Sequence, residues 1–374
     1  MNIEALRAQL AQHGQDHLVQ HWDRLTDDQK KELFDDLQDV NFEEMSQAFH
    51  KATNPERSSS SVDERMIPIE DKYCASVNNS SPEEMDGYQR VALDAVSKGQ
   101  VGVLLLAGGQ GTRLGVAYPK GMYNIQLPSN KSLYQIQVER ILRLEEMAFQ
   151  QTGNRGSIRM YIMTSEHTKA PTAEFFAKHG YFGMKKENVV LFEQRMIPCF
   201  DFDGKIILAS PSKIARAPDG NGGLYWALKQ EGILEDFKTH GVEYTHAYCV
   251  DNILVKVADP IFMGYCIKNQ ADSANKVLEK AFPSEALGVV CKVDGIIQVV
   301  EYSEIGKATS ELRSPDGKLT YCAGNICNHF FSTDFLRAVC EEHHKLMPHH
   351  VAKKKIPYVG KELETITPLS LIHI

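Results

Sequence analysis

No stretch of this 374-residue sequence is apolar for long enough to span a bilayer. The first residues, MNIEALRAQL, alternate charged and apolar side chains, which excludes a secretory signal. A basic excess is lacking too: 41 Lys and Arg against 49 Asp and Glu leave a formal net charge of −8. That is the wrong sign for a surface that wraps nucleic acid, so any phosphate chemistry must rest on a local cluster of cations. Cysteine is sparse: Cys74, Cys199, Cys249, Cys266, Cys291, Cys322, Cys327 and Cys340 form no CxxC pair. Without an export signal these read as buried thiols of a reducing cytosol, and a cytoplasmic protein is expected. Cys322, Cys327 and His329 in YCAGNICNHFF have no zinc-finger spacing and no matching second pair. A strand there would send their side chains to different faces. The doublets His343/His344 and His349/His350 read as a solvated helix end and loop. No serine, cysteine or histidine triad and no carboxylate pair stands out.

What is present is an orderly alternation of elements. Residues 1 to about 55 read as helices. Leu6 and Leu10, then Leu18, Trp22 and Leu25, recur at helical spacing, Thr26-Asp27-Asp28-Gln29 fits a capping box, and Asn41-Phe42-Glu43-Glu44 fits a third start. NPERSSSSVDER is a polar connection, residues 56 to 80 read as an extended segment on the next domain, and a helix spans about 82–97. Apolar runs at 101–106, 159–164, 189–193 and 245–250 then alternate with helical segments near 132–149, 168–179 and 221–230. This predicts an α/β fold: a mostly parallel, Rossmann-like sheet flanked by helices. ALGVVCKVDGIIQVVEYSE, with Asp294-Gly295 at its middle, predicts a hairpin and so an antiparallel extension. The expected division is an N-terminal helical region and linker over 1–97, a catalytic domain over 98–368, and a tail over 369–374. That tail, LSLIHI, matches the translation of a sequencing-library adapter and is set aside from the fold as non-native.

The most informative stretch is VGVLLLAGGQGTRLGVAYPKG, 101–121. A buried strand runs into a loop of four glycines with one arginine and one lysine. The Walker pattern fails, because Arg113-Leu114 stand where Gly-Lys is needed. The dinucleotide fingerprint fits loosely, as G-x-G-x-x-x-G, with Pro119 where a helix should follow and no acidic residue ending the next strand. A loop around a nucleoside triphosphate fits better. Glycines let backbone N–H groups approach phosphate oxygens, and Arg113 and Lys120 bring positive charge to the same anion.

The motif LAGGQGTRLG followed by Pro119-Lys120-Gly121 resembles the signature of sugar-nucleotide pyrophosphorylases. PDGNGGLY at 218–225, VDN at 250–252, VVEYSEI and AGNI narrow it: the chain resembles the eukaryotic UDP-N-acetylhexosamine pyrophosphorylases from Met1 to about Val359. The related UDP-glucose enzymes carry a histidine in the PDGNGG loop, and this sequence does not. Asn124 stands where the family usually has aspartate, and Gln126 where glycine is common; neither lies within the signatures.

The resemblance implies UTP and N-acetylglucosamine 1-phosphate as substrates, UDP-N-acetylglucosamine and pyrophosphate as products, and Mg²⁺ (or Mn²⁺) as cofactor. It implies UTP contacts from Leu106, Ala107, Gly108, Gly109, Lys120, Gln194, Gly220 and Asp251, and hexosamine contacts from Asn221, Gly288, Glu301, Tyr302 and Asn325. Arg113 and Lys120 are the candidate catalytic cations. Asp251 is the candidate metal ligand; spacing alone reads it equally well as a turn residue with Asn252. A pyrophosphorylase for another UDP-sugar, or a non-catalytic UTP-binding protein, are the alternatives; a dehydrogenase is the weakest. Family chains run on past the end of this one, with further lysines and pocket aromatics. The chain as written is therefore expected to bind UTP weakly, turn over slowly and tend to aggregate.

Overall fold

The computed structural model describes residues 2–53, 61–111, 114–343, 351–356, 358–359, 365–366 and 369–373. Two compact units emerge. One comprises Met1–Glu56, Gln194–Ala227 and His343–Ile374, the other Arg57–Glu193 and Leu228–Glu342.

The first unit is built on the helices α1 (Ile3–Gln12), α2 (Asp27–Gln38) and α3 (Phe42–Thr53). The Thr26 hydroxyl accepts from the Gln29 N–H and the Gln29 side chain accepts from the Thr26 N–H, completing the capping box. Asn41 does the same service for α3, accepting from the Glu44 N–H at 3.1 Å. Leu18, Trp22 and Leu25 do not form a regular helix. Leu18 and Trp22 fall on two 3₁₀ turns, Asp16–Val19 and Trp22–Arg24, after Gly14 turns left-handed (φ 67°), and Leu25 is the extended residue that ends the second. A period of three buries the same residues as a period of 3.6 over so short a span. Residues 194–227, expected in the catalytic domain, pack with these helices instead. Leu10, Leu33 and Leu37 share one core with Phe200, Ile206, Leu208 and Ile214 from two short hairpins, and Asp36 clamps Arg216 at 2.9 Å.

The second unit is an α/β sheet of nine strands: β1 (Met66–Ile67), β2 (Val101–Leu106), β3 (Arg159–Thr164), β4 (Val189–Glu193), β5 (Tyr244–Cys249), β6 (Ser273–Glu279), β7 (Val289–Val293), β8 (Ile296–Val300) and β9 (Ala323–Ser332). The order is β1-β7-β9-β5-β2-β3-β4, with β6 on β9 and β8 on β7. β5, β2, β3 and β4 are parallel, and the rest add antiparallel. Every residue of β2 and β3 is buried, as expected where helices cover both faces. The helix Leu133–Thr152 joins β2 to β3; Ser132 caps its start and Gly153, at φ 77°, ends it. The predicted hairpin is β7–β8, with both Asp294 (φ 53°) and Gly295 (φ 82°) left-handed, as a type I′ turn requires. The extended segment predicted after residue 56 contributes β1, which pairs Met66 with Val293. Residues 54–60 of the serine-rich connection, and His344, His349 and His350, lie outside the described residues. Leu369–His373 of the tail pair antiparallel with Val351–Lys355. No helix among the described residues is long and apolar enough to cross a membrane.

Two histidines inside this sheet set an acid limit. His246 on β5 is wholly buried: Nδ1 accepts from the Ala258 N–H at 3.0 Å and Nε2–H donates to Asn328 Oδ1. Burial first, with the nearby Lys276 charge in support, holds it down at about 4, and burial holds His329 at about 4. Histidines of an unfolded chain protonate near 6.5. Between those values the unfolded state binds more protons, so stability is lost as pH falls through the window, about 2 kcal/mol for each histidine by pH 5. Thermal unfolding should therefore shift several degrees lower from pH 7 to pH 5, and His246→Gln should reduce that slope. An unchanged slope in the variant would contradict this.

Candidate active site at the carboxyl ends of the parallel strands

β2 delivers the glycine-rich loop to the carboxyl edge of the sheet, where open α/β folds bind ligands. Its exit is fixed on both sides: the Ala107 N–H donates to the Met163 carbonyl at 2.8 Å, and the Val250 N–H to the Leu106 carbonyl at 3.1 Å. Next, the Gly108 carbonyl accepts from Ser165 Oγ at 2.9 Å, and Ser165, almost fully buried at the end of β3, is held by Thr168. Neither Ser165 nor Thr168 belongs to the sequence motifs, although SEHT directly follows β3. The loop closes on itself where the Gly111 N–H donates to the Tyr118 carbonyl at 3.0 Å.

Lys120 returns beside Gly109: a methyl group placed on Gly109 would lie 3.7 Å from Lys120 Cε. Its ammonium donates to Asp251 Oδ2 at 2.8 Å. Asp251 follows β5, so two residues 131 apart in sequence, the candidate cation and the candidate metal carboxylate, form an ion pair. Leu106, Ala107, Gly108, Gly109, Lys120 and Asp251 thus gather at the ends of β2 and β5. Arg113 lies outside the described residues.

Gly121 fixes the height of Lys120. A Cβ at Gly121 would sit 2.1 Å from the ring of Tyr134, which is fully buried in the helix after the loop. Gly121→Ala must displace either the ring or the loop. Overpacking of this kind costs about 1–3 kcal/mol, and a lysine displaced by 1 Å loses on the order of a hundredfold in rate. Thermal unfolding and turnover should both fall in this variant; loss of one without the other would show that the two are not coupled at Gly121.

Gly288, Glu301 and Asn325 form a second group in the same unit. The Asn325 N–H donates to the Gly288 carbonyl at 2.8 Å, and a Cβ on Gly288 would lie 2.9 Å from Val299 Cγ1 and 3.2 Å from Glu301 Oε1, so Gly288 packs closely against both side chains. Tyr302 follows, half-exposed. Two residues beyond Asn325, Cys327 takes a left-handed φ of 52° at an irregularity in the β6–β9 ladder, and its sulfur lies 3.3 Å from that of Cys249. The hydrogen bond with Cys249 first, then burial and the Asp251 charge, push the Cys327 thiol up. His329 instead bonds Asn275. Cys327 and His329 therefore face different partners, and among the described residues no group of three His, Cys, Asp or Glu is placed to hold a metal ion.

Gln194, Gly220 and Asn221 belong to the first unit. Gln194 is buried and its Oε1 accepts from the Gly220 N–H at 3.0 Å. Gly220 needs its left-handed φ of 85°, and the Asn221 carbonyl accepts from the Leu224 N–H as the helix Gly223–Gln230 starts.

Residues 41–369 match the family described as UTP–glucose-1-phosphate uridylyltransferase. The chain is similar to UDP-N-acetylhexosamine pyrophosphorylase-like protein 1 of Xenopus tropicalis, 48% identical over 99% of this chain and 73% of that one. The Homo sapiens protein of the same name is also 48% identical, over 97% and 73%. Among solved structures it is similar to the uridine diphosphate N-acetylglucosamine pyrophosphorylase of Trypanosoma brucei, solved with an inhibitor. That match has TM-score 0.84 and 28% identity, covering 99% of this chain and 73% of that one.

Proposed function

Because the chain belongs to the UTP–glucose-1-phosphate uridylyltransferase family, in its UDP-N-acetylhexosamine pyrophosphorylase branch, we propose that it makes UDP-N-acetylglucosamine from UTP and N-acetylglucosamine 1-phosphate. An oxygen of the sugar phosphate attacks the α-phosphorus of UTP, a new P–O bond forms, the α–β P–O bond breaks, and pyrophosphate leaves. A phosphate monoester has its second pKa near about 6, so the nucleophile is already ionised at neutral pH and needs no base. This agrees with the missing triad.

The barrier is repulsion between two polyanions, roughly 4 kcal/mol per charge pair at 4 Å and an effective dielectric of 20. Fixed cations at the α-phosphate and the leaving group are the remedy. Lys120 takes this role, and Arg113 joins it. The observation that carries the reading is the glycine loop at the end of a buried parallel strand with Lys120 already seated on Asp251. Leu106, Ala107, Gly108 and Gly109 offer backbone groups to UTP. Gln194 and Gly220 take the base. Asn221, Gly288, Glu301, Tyr302 and Asn325 take the hexosamine, with Glu301 accepting from its hydroxyls.

Asp251 fits Mg²⁺. It is a half-exposed carboxylate at the sheet edge, and Mg²⁺ is commonly held by one or two carboxylates with substrate phosphates completing the shell. When bound, the ion neutralises phosphate charge. Asp251 would give its carboxylate to that ion, and it orients the Lys120 ammonium.

Turnover with the 1-phosphates of N-acetylglucosamine, N-acetylgalactosamine and glucose tests the sugar. Preference for the N-acetylated sugars supports the reading, and preference for glucose 1-phosphate overturns it.

A further inference from the structure

We propose that Arg195 is a positioning residue for choice of the nucleobase, acting through a buried ion pair with Asp219, and that helix α3 takes part through Glu44. The inference rests on the reading that Gln194 and Gly220 face the uracil.

Two segments distant in sequence are tied by three bonds. The Asp219 N–H donates to the Arg195 carbonyl at 3.1 Å, the Gly220 N–H donates to Gln194 Oε1 at 3.0 Å, and Arg195 Nε donates to Asp219 Oδ2 at 2.6 Å. Asp219 is only 6% exposed, and a carboxylate that deep needs a charged partner. The packing has no slack: a Cβ on Gly223 would lie 2.9 Å from Asp219 Cβ. The other branch of Arg195 donates to Glu44 Oε1 at 3.3 Å, and its guanidinium lies over the Trp226 ring, 5.8 Å from the centroid. Glu44 is itself steadied by Asn41 at the start of α3.

The specificity argument concerns one amide. Gln194 carries an acceptor oxygen and a donor NH₂. The Gly220 N–H on its oxygen orients the amide, so that its NH₂ is the donor edge. A donor suits the O4 acceptor of uracil and not the N4 amine of cytosine, which is itself a donor. Remove Arg195 and Asp219 is left buried without its partner. The loop then shifts, the Gly220 N–H leaves, and the Gln194 amide is free to turn over and accept cytosine.

The test uses the full-length protein and follows kcat and KM for UTP and CTP, KM for the sugar phosphate, and UTP affinity by calorimetry. Arg195→Met is expected to raise KM for UTP and lower the UTP-to-CTP preference about tenfold each, the scale of one lost charged hydrogen bond. KM for the sugar phosphate should stay within about twofold, the split that separates positioning from general loss of stability. Arg195→Lys should recover only part of the preference, since one ammonium cannot fork to Asp219 and Glu44 together. Glu44→Gln should shift it in the same direction by a smaller factor. If Gln194→Leu leaves the UTP-to-CTP preference unchanged, the base-contact reading itself falls. If Gln194→Leu loses the preference and Arg195→Met keeps it, the inference alone falls. Should Arg195→Met fail to fold, Asp219→Asn decides by the same ratio: loss supports the proposal and no change overturns it.

Discussion

Replacing Lys120 with alanine is expected to slow turnover about a hundredfold or more, the scale for losing one preorganised donor to a charge that develops in the transition state. The change should fall on kcat. Lys120 is held by two independent constraints, the Asp251 carboxylate at 2.8 Å and the Gly109 backbone along its stem, so its ammonium needs little reorganisation to meet a phosphate. Removing it also leaves Asp251 without its cation, which turns a stabilising carboxylate into one that repels both substrates. Lys120→Arg should recover only part of the rate, because the longer planar group cannot occupy the same space beside Gly109. Steady-state kinetics in both substrates would check this; a loss confined to KM for the sugar phosphate would remove Lys120 from the reacting phosphates.

Asp251→Asn is expected to have the next largest effect. The substitution removes a charge and keeps the shape, so the loss is electrostatic. It should raise the Mg²⁺ concentration for half-maximal activity at least about tenfold, since Mg²⁺ binds an amide oxygen far less well than a carboxylate. It should also release Lys120 from its ion pair. The two variants share one contact, so their effects should not add: the double variant should be less impaired than the product of the singles. A metal titration for each of the four proteins measures both quantities. Unchanged Mg²⁺ dependence in Asp251→Asn would rule out Asp251 as a ligand.

Much of the fold was legible because its signals are local. The capping box at Thr26 and Gln29, the left-handed Asp294-Gly295 turn and the buried runs of β2 and β3 each depend on neighbours within a few residues. The pairing of Lys120 with Asp251 was not legible, since it depends on β2 and β5 lying side by side, a fact of sheet order that no short window contains. The same holds for Arg195 and Asp219. Arg195 directly follows Gln194 and Asp219 directly precedes Gly220, but their ion pair joins segments 24 residues apart, beyond any short window. Residues 194–227 read as part of the α/β alternation because their hairpins are short. Their apolar faces are instead covered by α1 and α2. Ser165 carries no sequence signal of its own, because its bond to the Gly108 carbonyl joins residues 57 apart.

The most direct measurement follows the α-phosphorus. UTP labelled at that position is mixed with N-acetylglucosamine 1-phosphate, Mg²⁺ and the full-length protein, and products are separated over time. The expected result is label appearing in UDP-N-acetylglucosamine at the same rate as pyrophosphate is released, with neither formed when the sugar phosphate is omitted. Binding of UTP with no pyrophosphate released, or pyrophosphate released without the sugar phosphate, would contradict uridylyl transfer by this site.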